Sequence, residues 1–211
     1  MLSLHDSLRQ INEGLARIRE FRPLWKGEYS ANPVLTPEEI AAFEEKHGCR
    51  LPESYREFLL QVGDGGAGPE YGLFRLGQHR SDYDNIHDEE LCFADNADLS
   101  QPFPHQHAWN DEECDDEAAY LSDELVTGSM IIADRGCNLS TRLVITGPLA
   151  GEIWDDDRSD GQGLSPRLAP NGSHYQFLPW YMDWLARRVH QYGHKGNPNP
   201  DPGPGGASLP F

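Results

Sequence analysis

The stretch LTPEEIAAFEEKHGCRLPESYREFLLQVGDGG, residues 35–66, decides the fold of this chain. Its first part predicts a helix, because Thr36 is a good N-cap and Pro37 suits the first helical position. Glu39 stands three residues after Thr36, which is the spacing of a capping box. Gly48 predicts the end of this helix, since glycine readily adopts the left-handed conformation of a C-cap.

A second helix is predicted over residues 52–62. Tyr55, Phe58, Leu59 and Val62 recur at steps of three and four, so one face of this helix is apolar and should be buried. Leu51, just before this helix, is expected to be an apolar side chain buried at the connection between the two helices.

The glycines at 63, 65 and 66 allow positive φ and a tight exit from the second helix. The stretch YGLFRL, residues 71–76, then predicts a short strand that buries its apolar side chains against the helix. A phosphate-binding loop would run strand, glycines, helix, with a lysine after the glycines. The order here is helix, glycines, strand, so this stretch predicts a structural corner.

The rest of the chain predicts an α+β fold. Apolar residues at helical spacing indicate a helix over 2–21, and acidic residues at a favourable N-terminal end indicate another over 111–121. Aliphatic runs bounded by glycine predict three strands of an antiparallel meander, at 129–136, 141–147 and 151–157. An aromatic-rich segment, 174–192, predicts the closing helix.

These elements suggest three parts. An N-terminal helix and linker span residues 1–34, and a single domain spans 35–192. The remainder, 193–211, is rich in proline and glycine and is predicted to be disordered.

The charge of the chain favours basic protein partners. It has 17 basic and 35 acidic residues, for a formal net charge of -18. Such a surface repels nucleic acid phosphates and anionic membranes, so direct binding to either is not expected. The alternative, that the acidity serves only solubility, stays open.

The acidity is concentrated in residues 81–125, an expected acidic insert with fifteen Asp or Glu and no Lys or Arg. This segment is the best candidate for a partner-binding surface, and Trp109 and Tyr120 could supply aromatic anchors. An equally open alternative is that these aromatic residues belong to the core and the charges are only solvated. The candidate partner-binding residues are Trp109, Asp111, Glu112, Glu113, Asp115, Asp116 and Glu117.

The cysteines and the N-terminal residues favour a cytoplasmic protein. Cysteines stand at 49, 92, 114 and 137 and do not form the pattern of a disulfide-rich secreted scaffold. We expect no signal peptide, because a charged start followed by an apolar run is missing, and no membrane-spanning stretch.

Catalytic and metal sites are weakly indicated. His105, His107, Cys92 and Cys114 are zinc-ligand types, but no Cys-x-x-Cys pair is present. Residues 155–163 partly resemble a calcium loop, but Asp160 stands where glycine is needed and Pro166 where glutamate is needed. No Gly-x-Ser-x-Gly motif is present, and Cys137 follows no recognised nucleophile pattern. We therefore predict no catalytic residues, no metal and no cofactor.

Taken in order, residues 35–192 resemble the SUKH superfamily, also called the Smi/Knr family after a fungal regulator of cell-wall synthesis. The resemblance rests on an acidic pair opening a helix, a Leu-Pro-x-x-Tyr step, a Phe-Leu helix and a Gly-Gly exit, followed by a Gly-x-Ile-Trp strand. Asp64 stands where asparagine is usual. We call residues 35–66 the signature block. The matching residues are Glu39, Leu51, Pro52, Tyr55, Phe58, Leu59, Gly65, Gly66, Gly151 and Trp154.

The resemblance implies a single α+β domain without catalytic residues. Bacterial members are mostly regarded as immunity proteins that bind and neutralise toxins, often nucleases or deaminases, and fungal members act as interaction hubs. The resemblance therefore implies a binding module that neutralises a toxin domain, with a regulatory scaffold as the alternative. Together with the acidic charge of the chain, it predicts that this toxin domain is basic, and we expect it to be encoded nearby. A metal-dependent enzyme using the His and Asp-rich segments is a second alternative.

Overall fold

The computed structural model describes residues 3–21, 29–78, 96–112 and 114–193. Within these ranges the chain forms five α-helices and one four-stranded antiparallel sheet, so the expected α+β class is confirmed. The expected disordered tail lies outside the described residues, apart from Gly193 at the end of the last helix.

The helices are α1 (Leu4–Phe21), α2 (Pro37–His47), α3 (Glu53–Gln61), α4 (Glu117–Tyr120) and α5 (Phe177–Gly193). The strands are β1 (Ser129–Gly136), β2 (Leu139–Val144), β3 (Ile153–Asp157) and β4 (Gly163–Pro166). The sheet is a meander in the order β1-β2-β3-β4. The β1–β2 turn and the β3–β4 turn therefore lie at the same end of the sheet, which we call the loop end.

The signature block folds as its sequence predicts. The Thr36 hydroxyl accepts from the Glu39 backbone N–H, and the Thr36 N–H donates to the Glu39 carboxylate at 2.8 Å, which completes a capping box. Gly48 ends α2 in the left-handed conformation, with φ 59°. The Leu51 N–H donates to the Glu44 carboxylate at 2.9 Å, so the link between α2 and α3 is also fixed.

The larger hydrophobic core lies between one face of the sheet and helices α1, α3 and α5. Phe177 of α5 meets Tyr55 and Phe58 of α3 edge to face, with ring centroids 4.9 and 5.1 Å apart. The chain needs glycine directly after α3, because the backbone there packs closely against other backbone segments. At Gly65, φ is 73° and a Cβ atom would lie 2.4 Å from the carbonyl oxygen of Phe74, so no other residue fits without a shift.

The second face of the sheet is covered by residues 96–112 and 114–127, which we call the covering segment. Phe103 and Val126 of this segment pack on Trp154, Val144 and Leu164 of the sheet and form a smaller core. The Phe103 and Trp154 rings meet edge to face at 4.9 Å. The sheet therefore has apolar cover on both faces.

Two predicted elements differ in the structure. Residues 71–76 form no strand, and only Leu73 makes isolated bridges, to Gly66 and to Ala133 of β1. The helix predicted over 111–121 is reduced to the four residues of α4, because the acidic pairs Asp111/Asp115 and Glu112/Asp116, four positions apart, would repel each other on one helix face. Strand β4 was not predicted, since glycine, serine and proline favour turns. Pairing with β3 holds it in place.

Candidate partner-binding site

The exposed acidic residues of the covering segment form a loop between two attachment points. Asp111, Glu112, Asp115, Asp116 and Glu117 are all exposed. Glu113 lies outside the described residues. We call residues 110–112 and 114–117 the acidic loop. It leaves the sheet after Trp109 and returns to it at residues 122–126.

The first attachment point lies at the edge of the sheet. Trp109 and Leu164 of β4 exchange two backbone hydrogen bonds, of 2.8 and 2.7 Å. The approach is close because residue 163 is a glycine with φ 73°, and a Cβ atom there would lie 2.0 Å from the Trp109 carbonyl oxygen. Asn110 adds a side-chain hydrogen bond to the Gly161 carbonyl at 3.0 Å.

The second attachment point is the buried guanidinium of Arg158. Its Nη1 donates to the Ser122 carbonyl at 3.0 Å, and so fixes the chain where it leaves α4. The Ser122 hydroxyl accepts from the Glu124 N–H at 3.2 Å and starts the 3₁₀ turn Asp123–Val126. Val126 then enters the smaller core with no exposed surface.

A buried ionic cluster supports this attachment. Asp156 accepts two bonds from the Arg158 guanidinium, of 2.8 and 2.9 Å, and one of 3.2 Å from Arg142. Burial raises the pKa of Asp156, but the bonds to Arg158 and the charge of Arg142 outweigh it, so its pKa lies below the ordinary value. Arg142 also donates to the Ser129 hydroxyl at 2.9 Å. One carboxylate thus faces two guanidinium groups beneath the covering segment.

Stacked rings connect the smaller core to the acidic loop. The Trp109 and Tyr120 rings are stacked with centroids 5.5 Å apart, and the centroids of the His105 and Trp109 rings are 5.3 Å apart. The Tyr120 hydroxyl donates to the Asn110 side-chain oxygen. The His105 Nε2 lies 2.8 Å from the Leu125 carbonyl oxygen, and burial lowers the pKa of His105. Trp109 and Tyr120 are half-buried, so part of each ring serves packing and part remains accessible.

One member of the acidic loop has a structural task. Asp116 is the N-cap of α4, and its carboxylate accepts from the N–H groups of Ala118 and Ala119 at 3.1 and 3.3 Å. Reversing the charge of Asp116 would remove this cap as well as a surface charge. The exposed acidic residues of the loop that do not cap this helix, among those described, are Asp111, Glu112, Asp115 and Glu117.

The zinc and calcium patterns considered from the sequence are not assembled in the described part of the chain. No three His, Cys, Asp or Glu side chains come together there as metal ligands. Cys114 is a free thiol in the structure, and Cys92 lies outside the described residues. Asp155 and Asp157 of the calcium-like stretch both pair with Arg135, and Asp155 also pairs with Arg167.

No helix among the described residues is both long and apolar enough to cross a membrane.

Comparison with known families agrees with this geometry. The model of the SMI1 / KNR4 family (SUKH-1) matches residues 34–154, which is more than half of the chain. The chain therefore belongs to the SUKH-1 family. No curated protein and no solved structure matches it.

The structure separates the predicted residues into two groups. Leu51, Tyr55, Phe58, Leu59 and Trp154 are buried, while Asp111, Glu112, Asp115, Asp116 and Glu117 are exposed. Sequence reasoning missed the cluster of Arg142, Asp156 and Arg158, which holds the covering segment in place. A signal for it existed, because Asp156 and Trp154 occupy alternate positions of one strand and therefore share a face.

Proposed function

We propose that this chain is a non-catalytic protein-binding module that acts as an immunity protein and neutralises a basic, nuclease-like toxin domain. The observation that carries the proposal is the acidic loop, whose exposed carboxylates stand between two attachment points on the sheet. Membership of the SUKH-1 family supports a protein partner. The net charge of -18 supports a basic one.

The attachment of the loop favours tight binding. A loop that is already ordered loses less conformational entropy when it binds, so more of the contact energy contributes to affinity. Trp109 is bonded to Leu164 before the loop and Arg158 to Ser122 after it. The partner would then meet carboxylates that are largely in position.

The charge of the loop suits a nuclease-like partner. Proteins that cleave nucleic acids carry basic groups on the face that grips phosphate. Carboxylates that compete for this face accelerate association through electrostatic steering, and the gain falls as salt screens the charges. Occupying the phosphate-binding face would block the substrate without any catalysis by this chain.

The first test is co-expression with the product of the neighbouring gene, read as growth, followed by titration of the purified pair at about 50 and about 300 mM salt. We expect growth rescue and binding that weakens as salt rises. No rescue and no binding would contradict the proposal and favour the scaffold role. A pull-down that identifies a non-toxic cellular partner would establish that role.

A second test locates the surface. Changing Asp111, Glu112 and Asp115 together to lysine should slow association by about tenfold or more and reduce its salt dependence. Asp116 is left intact because it caps α4. The matched control changes Glu13, Glu20 and Glu45 of the helices to lysine, which alters the net charge equally. Equal association rates of the two triple variants would show that the acidic loop is not the binding surface.

A further inference from the structure

The acidic loop is one end of a continuous row of bonded turns along the loop end of the sheet. Asn110 donates to the Gly161 carbonyl of the β3–β4 turn at 3.0 Å. On the same turn, the Ser159 hydroxyl donates to the Asn138 carbonyl of the β1–β2 turn at 2.9 Å. The turns are therefore tied to one another across the whole width of the sheet.

Tyr71 closes this row at the opposite edge. Its backbone N–H donates to the Asp134 carbonyl of β1 at 3.4 Å. Its ring lies over Gly136, where a Cβ atom would be 3.2 Å from the nearest ring carbon. Yet 58% of the Tyr71 surface stays exposed, the largest exposed fraction among the large hydrophobic residues described. A large aromatic side chain is thus held in place and left open to solvent.

The row has the dimensions of a protein interface. It spans four strands and a bridged segment at each edge, which at the usual strand spacing amounts to about 24 Å. A standard interface buries about 800 Å² on each partner and is of comparable width. Aromatic residues held rigidly are also the side chains that contribute most to binding energy in such interfaces.

The charge of the row matches that of the acidic loop. Asp160 is exposed in the β3–β4 turn, between Tyr71 and the loop. The arginines near this end are engaged by carboxylates: Arg135 pairs with Asp157, and Arg158 pairs with Asp156. A basic partner would therefore meet a negative electrostatic potential, which attracts it, along the whole row.

We infer that the loop end, from Tyr71 through Asp160 to the acidic loop, is one docking surface for a single basic protein domain. Tyr71 is its aromatic anchor, and the acidic loop steers the partner onto it. This inference rests on the proposed function, since the partner is the same one. It adds that the footprint crosses the sheet and that a residue outside the acidic segment supplies much of the binding energy.

The test compares two equally exposed apolar residues. Tyr71→Ala is measured against Leu168→Ala, because Leu168 is 56% exposed and follows β4 at the end of the sheet away from the loop end. The probe is the purified product of the neighbouring gene, bound to the full chain. We expect Tyr71→Ala to raise Kd by about tenfold or more, mainly through faster dissociation, and Leu168→Ala to change Kd by less than about twofold.

A charge pair extends the test to the middle of the row. Asp160→Arg should slow association several-fold, while Glu45→Arg on α2, with the same change in net charge, should have a smaller effect. Thermal unfolding of each variant confirms that it is folded before binding is compared.

The outcomes separate the two proposals. If the partner binds and the triple lysine variant of the acidic loop weakens binding, but Tyr71→Ala and Asp160→Arg behave like their controls, the extended surface is wrong and the proposed function stands. If the native chain does not bind this partner, both proposals are overturned.

Discussion

The signature block and the covering segment both attach to the sheet, but they use their side chains in opposite ways. In the signature block Leu51, Tyr55, Phe58 and Leu59 are buried, while Thr36 and Glu39 cap α2 and Glu44 fixes the link to α3. In the covering segment a few apolar residues pack against the sheet, while the acidic residues between them face solvent. The first region builds the scaffold and the second presents a surface. Substitutions should therefore affect stability in one region and binding in the other.

The largest expected effect is on the core around the signature block. Phe58→Ala should lower the free energy of unfolding by about 3–5 kcal/mol, because Phe58 is fully buried and contacts both Phe177 and Tyr181. Urea-induced unfolding measures this loss. A loss below about 1 kcal/mol would show that the core can close around the cavity and would weaken the contrast between the regions.

A comparable loss is expected at the ionic cluster under the covering segment. Asp156→Asn removes the buried carboxylate charge that both Arg142 and Arg158 contact, which should cost about 3–5 kcal/mol of stability near neutral pH. Since the folded pKa of Asp156 lies below the ordinary 3.8, the contribution of its charge is present above that value and is lost as pH falls through the folded pKa. The free energies of unfolding of the native chain and the Asp156→Asn variant, measured with urea, should therefore become equal as the pH falls through the acidic range. Asp160→Asn, an exposed control nearby, should change stability by less than about 0.5 kcal/mol.

A smaller effect should separate two glycines of the same turn. Gly161 and Gly163 have φ of 70° and 73°, so alanine is strained equally at both. Only at Gly163 would the added Cβ meet the Trp109 carbonyl oxygen, whereas nothing lies within 4 Å at Gly161. Gly161→Ala should cost about 1 kcal/mol, and Gly163→Ala about 2 kcal/mol or more, with displacement of Trp109. Thermal unfolding measures the loss of stability, and tryptophan fluorescence detects the displacement of Trp109. Equal losses of stability in the two variants would mean that Gly163 does not contact the Trp109 carbonyl oxygen as the structure shows.

The smallest effect is a pH dependence of the covering segment. The folded pKa of His105 lies below the ordinary 6.5, because burial disfavours its charged form, so the unfolded chain binds the proton more readily. Stability should then fall as pH drops through about 6.5 towards the folded value. His105→Gln keeps a donor for the Leu125 carbonyl and should flatten this dependence between about pH 7.5 and about pH 5.5. If the free energy of unfolding changed with pH equally in the native chain and in His105→Gln, the pH dependence would arise from groups other than His105.

The sequence predicted the signature block well because local rules determine it. The capping box of Thr36 and Glu39 and the stop at Gly48 depend on neighbours within a few residues. The apolar spacing of α3 and α5 likewise needs no knowledge of the rest of the chain. These elements appear in the structure close to the predicted bounds.

The sequence predicted the candidate site less completely because that region depends on distant contacts. Strand β4 is held by β3, and the acidic loop is held by Leu164 and Arg158, which follow it by more than thirty positions. Composition identified the exposed charges, but not the structural task of Asp116 or the exposure of Tyr71. The extent of the binding surface stays a prediction, and so does the immunity role.

The bridges at the two sheet edges have a further consequence for how this protein associates. Leu73 and Phe74 lie along β1, where Phe74 bonds to the Ile132 carbonyl, and Trp109 occupies the outer side of Leu164 in β4. Short non-strand segments thus occupy the positions at which an incoming strand would pair. A partner cannot extend this sheet there without displacing them, which also guards against edge-to-edge aggregation. Strand addition is therefore disfavoured at these two edges, and exposed side chains can change between related chains without any change in the scaffold.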